Sequence, residues 1–105
     1  MAGTILIDRD NGVALNSVGY HRILEAVRAQ LNSEDARSTE GVFAPNDLEG
    51  MSFISLVEAD TPTFRCFHSA AIAAYSGATE SGYTFTEWDE LMEKLKRDPR
   101  SVATG

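Results

Sequence analysis

Cys66 and His68 lie two residues apart and have the side-chain types of a nucleophile and its base. A thiolate activated by an imidazole is a working catalytic pair. On a helix, residues two apart point about 200° away from each other, so these two could not exchange a proton there. On a strand they would share a face. The surrounding sequence is helical in pattern, which predicts a small packed cysteine and a boundary histidine beside Phe64 and Phe67. His21 and Glu25 stand four apart, where a carboxylate can orient an imidazole. The same pair is also a common helix-surface contact worth about 0.3–0.5 kcal/mol, and the pattern places no nucleophile next to it. Asp8 and Asp10 could offer two oxygen ligands to a hard cation, but calcium-loop spacing fails because its fifth position is Gly12. Asp10 is accounted for as a turn residue. Gly12, Gly41, Gly50, Gly77 and Gly82 match neither of the glycine-rich phosphate-loop patterns. Tyr83, Phe85 and Trp88 read as a core edge under the last helix, because acidic surroundings suit nucleobase stacking poorly. The expectation is a protein with no catalytic residue, no metal ligand and no cofactor.

Charge carries more information than these candidates. Nine Lys and Arg against 16 Asp and Glu give a net charge of −7. The excess is concentrated. Glu34, Asp35, Glu40, Asp47, Glu49, Glu58 and Asp60 fall between residues 34 and 60, where Arg37 is the only base, a net −6 over 27 residues. Such a field repels phosphate backbones and anionic membrane surfaces, so neither nucleic acid nor membrane is an expected partner. It attracts a basic protein surface, although an acidic surface also serves solubility alone. Glu40, Asp47, Glu49, Glu58 and Asp60 are the residues expected to face a basic protein partner.

The elements that must carry these acids follow from length and periodicity. A chain of 105 residues is about one domain. With 43% apolar and 24% charged residues it is too apolar to be disordered. Cys66 is the single cysteine, which excludes an internal disulfide or a multi-Cys zinc site and fits a reducing compartment. Residues 1–8 show no basic n-region, and no apolar run approaches the ~20 residues of a membrane span, so a cytoplasmic protein is expected.

Residues 4–7 and 13–15 read as a hairpin around Asp10, Asn11 and Gly12. A three-residue loop with Gly12 left-handed pairs Ile7 with Leu15 and Ile5 with Ser17. It sets Ile5, Ile7, Val13 and Leu15 on one face. Asn16 or Ser17 caps a helix to about Leu31, with Tyr20, Ile23, Leu24, Val27 and Leu31 as its apolar stripe. Residues 33–50 lack periodicity and contain Gly41, Pro45 and Asn46, which predicts a long acidic loop anchored by Val42, Phe43 and Leu48. Residues 51–58 suit a buried strand. A helix capped by Asn46 is the other reading, disfavoured by Gly50. Thr61 followed by Pro62 opens a helix that Gly77 should close, with Ala70, Ala71, Ala73 and Ala74 forming a smooth side. A polar turn over residues 78–82 and a short extended piece over Tyr83, Thr84 and Phe85 lead to the last helix. Thr86 should cap that helix, with Asp89 completing a capping box. Asp98 and Pro99 should end it, and residues 101–105 should fray. The predicted core is Ile5, Ile7, Leu15, Ile23, Leu24, Val27, Leu31, Phe53, Phe64, Phe67, Ile72, Leu91, Met92 and Leu95. The expected whole is one α+β domain over residues 1–105, a small antiparallel sheet with about three helices on one face.

Small size, net acidity, a long acidic stretch and no chemistry resemble, in general character, bacterial immunity and inhibitor proteins; the likeness rests on no particular run of residues. It implies a non-catalytic acidic module that neutralises a basic partner. Two other classes stay in view. One is an oligomerising subunit with the alanine-rich face of the Phe64–Tyr75 helix as its seam, and the other is a small enzyme using His21 or His68.

Overall fold

Ile5, Val13 and Leu15 alternate with more exposed neighbours, and that period of two builds a hairpin. The computed structural model describes residues 2–48, 50–82, 84–98 and 100. Strand β1 (Ala2–Leu6) pairs antiparallel with β2 (Gly12–Asn16), and β3 (Phe53–Ser55) joins the other side of β1 in parallel, giving the order β2-β1-β3. The described residues also form five helices: α1 (Ser17–Ala29), α2 (Ser33–Ser38), α3 (Glu40–Asp47), α4 (Thr61–Ser81) and α5 (Thr86–Arg97). The α+β class stands as expected, with more helices than three and a mixed sheet rather than a purely antiparallel one.

The hairpin register differs from the expected one. Ile5 lies opposite Val13 and Gly3 opposite Leu15, so the connection spans residues 7–11 and Gly12 is not left-handed. Asp8 causes this. Its carboxylate accepts from the backbone N–H groups of Asp10 and Asn11 at 2.7 and 2.8 Å and from the Asn11 side chain, while the Ile7 N–H donates to the Asn11 carbonyl. The shift is even, so Ile5, Ile7, Val13 and Leu15 still share the buried side. Gly3 is required where it is, because a Cβ there would lie 2.2 Å from the Tyr20 ring.

Helix α1 begins where Asn16 accepts from the Gly19 N–H, and it buries Tyr20, Ile23, Leu24 and Val27. Residues 33–47 are not a loop. They form α2 and α3, separated at the fully buried Thr39, whose hydroxyl donates to the Asp35 carbonyl at 2.8 Å. Helix α4 is capped by Asp60 rather than Thr61, runs through Gly77, and closes one turn later at the left-handed Gly82 (φ 75°). Ala70, Ala71 and Ala74 are buried, and α1 packs against α4, so the smooth side allows close approach within the fold. Ile72 faces solvent at 51% exposure, whereas Val42, Phe43, Ile54, Leu56 and Trp88 join the core. Phe53, Leu31 and Met92 are half-buried. Helix α5 has the expected extent but starts after Phe85, with Thr86 as its first residue and no side-chain cap. Glu49, Tyr83, Pro99 and residues 101–105, all of which entered the expectations above, lie outside the described residues.

Candidate partner-binding surface

Helix α2 is a local product of its sequence. The Asn32 side chain accepts from the Asp35 N–H at 2.8 Å, and Glu34 and Asp35 occupy the first turn, where the helix dipole favours negative charge. Its end is tied to the start of α4, because the Thr63 hydroxyl donates to the Ser38 carbonyl at 3.5 Å. Helix α3 follows directly and is held by the buried Val42 and Phe43. Helical spacing sorts its other residues. Glu40, Phe43 and Asp47 fall on the side toward α1, whereas Gly41, Val42 and Pro45 line a groove of about 660 Å³.

Phe53, Ser55 and Val57 line the same groove from β3 and its continuation, as residues two apart on an extended chain must. Glu58, Ala59, Asp60 and Thr63 close its end. Leu48 and Met51 bracket the turn between α3 and β3 at 83% and 49% exposure, and the Met51 N–H donates to the Pro45 carbonyl at 2.9 Å. Leu48 was expected as an anchor and is instead a solvent-facing apolar side chain.

The five acids expected to face a partner do not form one cluster. Glu58 and Asp60 stand at the groove, Glu40 and Asp47 on the other side of α3, and Glu49 lies outside the described residues. Asp47 accepts from Arg28 at 2.5 Å, and that guanidinium holds its carboxyl below the usual carboxylate range. Asp60 accepts from the Thr63 N–H at 2.9 Å as the cap of α4, and hydrogen bonding to the Thr63 side chain first and to its N–H second holds the Asp60 carboxyl below the usual carboxylate range. Glu40 and Glu58 are exposed. Leu48 and Met51 are the surface residues that charge counting missed; isolated apolar residues in an acidic, turn-rich stretch were the available signal.

The nucleophile and base candidates are kept apart. Helix α4 is continuous through Cys66 and His68. The Cys66 thiol lies 3.5 Å from the Asp35 carboxylate, and burial together with that neighbour pushes its pKa up, so the thiol stays protonated. Burial pushes His68 down, and its ring packs 5.8 Å from that of Phe64. His21 is exposed with its ring edge-on to Tyr20, and Glu25 beside it is exposed as well. Among the described residues no three His, Cys, Asp or Glu side chains group as a metal site, and no helix is long and apolar enough to cross a membrane.

No family model matches the chain. Its sequence is 27% identical over 108 residues to the immunity protein CdiI of Burkholderia pseudomallei, a match that spans 100% of this chain and 99% of that protein. Its fold superposes with a TM-score of 0.86, at 26% identity, on a chain in the solved complex of the CdiA-CT toxin from Burkholderia pseudomallei E479 with its cognate CdiI immunity protein. That match covers 96% of this chain and 100% of the other. In both sequence and fold, over nearly the whole of each chain, the protein is similar to an immunity protein.

Proposed function

We propose that the chain is a non-catalytic inhibitor that neutralises a toxin domain by covering a basic surface of it with the face built from α2, α3 and the β3–α4 junction. The observation that carries this reading is the pairing of charge with exposed apolar area. Leu48 and Met51 project from the α3–β3 corner at one end of α3, Glu58 lines the groove beside that helix, and Glu40 and the acids of α2 lie toward its other end. Protein interfaces combine a few apolar anchors with a polar rim in this way. The likeness to a chain solved in a toxin–immunity complex supports a toxin as the partner class. A protonated Cys66 thiol, kept apart from His68 by the helix, supports an inhibitor rather than an enzyme. An acidic inhibitor of this kind acts in the cytoplasm, where a toxin aimed at cellular contents must be met.

The test is coexpression with the cognate toxin domain. The reading expects restored growth and a stable one-to-one complex on gel filtration. Growth arrest with no complex overturns it.

A further inference from the structure

We propose that the outer edge of β3 receives an extended segment of the toxin domain as an added strand, with a basic side chain of that segment set against Glu58. This rests on the inhibitor function proposed above and specifies how the partner is held.

The register decides which backbone groups of β3 are spent. Thr4 lies opposite Phe53 and Leu6 opposite Ser55. The Thr4 N–H donates to the Ser52 carbonyl at 3.0 Å, and the Leu56 N–H donates to the Leu6 carbonyl at 2.8 Å. In a parallel ladder of this register the groups turned toward β1 belong to Ser52, Ile54 and Leu56. The N–H and C=O groups of Phe53 and Ser55 therefore point away from β1. No turn, cap or loop hydrogen bond among the described residues uses them.

The two edges of the sheet are treated differently. Helix α5 packs along β2, and the Lys94 ammonium donates to the Gly12 carbonyl at 2.8 Å, so that edge is covered. Beside β3 lies the groove of about 660 Å³, which the partly exposed Phe53 and Ser55 line. An unpaired edge is a template for another strand.

Backbone chemistry and charge together select the occupant. An extended polypeptide repeats N–H and C=O groups at the spacing of the edge, whereas a helix spends its own internally. Glu58 and Asp60 are the charged residues lining the groove. Asp60 is engaged as the cap of α4, which leaves the exposed Glu58 to face a lysine or arginine. A second copy of this chain suits the edge poorly. Two-fold pairing of β3 with itself would bring the same acids together on a protein of net charge −7.

The experiment follows amide hydrogen exchange, residue by residue, in the free protein and in its complex with the cognate toxin domain. Free, the Phe53 and Ser55 amides should exchange roughly tenfold or more faster than those of Ile54 and Leu56. In the complex they should slow by a similar factor. Ser55→Pro removes one outward N–H and spares the β1 ladder, a place where proline is tolerated. It should weaken the complex roughly tenfold or more while Ile54 and Leu56 stay protected. Glu58→Lys, at an exposed position, should also weaken the complex. A complex in which Phe53 and Ser55 exchange as fast as in the free protein overturns the added strand and leaves the inhibitor function standing. So does unchanged binding in either folded variant. Protection that grows with the concentration of the free protein assigns the edge to a second copy and overturns it as well. Where Ser55→Pro does not fold, the exchange of the wild-type complex decides. Failure to form any complex overturns the inhibitor function itself.

Discussion

Arg28 holds its guanidinium 4.4 Å from the centre of the Phe43 ring while donating to Asp47 at 2.5 Å. One cation thus fixes α3 against α1 and neutralises one of the acids concentrated between residues 34 and 60. Both partners of the ion pair are about 40% exposed in their side chains, so solvent screening keeps its stabilisation small, about 0–1 kcal/mol. Its electrostatic effect on a basic partner reaches further. Arg28→Gln should therefore leave the melting temperature within a few degrees of wild type and raise the association rate with the proposed toxin partner at low salt. Stopped-flow mixing at two salt concentrations checks this; a slower variant contradicts it.

Arg100 has a structural role of its own. It donates to the carbonyls of Ile7, Leu56 and Ala59 at 2.6–2.8 Å, pairs with Asp98 at 2.9 Å, and stacks 4.4 Å over Phe64. These carbonyls belong to the ends of β1 and β3 and to the entry of α4, which no continuing strand pairs. A lysine offers one point of charge where the guanidinium spans four acceptors. Arg100→Lys should cost about 3 kcal/mol, the scale of a broken, largely buried pair, measured by urea unfolding. A loss below about 1 kcal/mol would show that the contacts contribute little.

Asp98 gives the fold an acid dependence. Its hydrogen bonds to Arg100 hold the carboxyl below its usual pKa. A group depressed in the folded state contributes stability that is fully present above the unfolded pKa, about 3.9, and is lost as pH falls through the lower folded value. The stability gap between wild type and Asp98→Asn should therefore be constant from pH 7 down to about 5 and close below about pH 4. Chemical denaturation across that range reads it directly. A gap that persists unchanged to pH 2 contradicts the assignment.

Two isoleucines separate what periodicity reveals from what it conceals. Ile23 is fully buried in the α1 stripe and Ile72 is half exposed on α4, although both follow helical spacing. Ile23→Ala should cost about 2–5 kcal/mol, and Ile72→Ala should stay within about 0.5 kcal/mol. Comparable losses at both sites would contradict the burial pattern.

The same distinction explains which parts of the fold were legible. The α1 stripe, the extent of α5 and the buried side of the hairpin follow from local spacing alone. The register does not, because the Asp8–Asn11 contacts lengthen the turn by an even number of residues and leave the apolar pattern unchanged. Helices α2 and α3 escaped detection because they are only six and eight residues long and Gly41 and Pro45 dilute the signal. For the surface, composition identified the acids but not their roles. Asp47 is neutralised by a residue 19 positions away and Asp60 is occupied as a cap. Leu48 reads as core by type and is exposed only because α3 turns it outward.

The acids left unpaired define the most direct test of the acidic face. Glu34, Glu40 and Glu58 are exposed, whereas Asp47 is paired with Arg28 and Asp60 caps α4, so both are best left intact. The measurement is the association rate of the Glu34→Gln, Glu40→Gln, Glu58→Gln variant with the cognate toxin domain across a salt series. Steering by these charges predicts association several-fold slower than wild type at low salt, an unchanged melting temperature, and convergence of the two rates at about 1 M salt, where the screening length falls to about 3 Å. Equal rates at every salt concentration would contradict the account and leave the acidic face with no part in recognition.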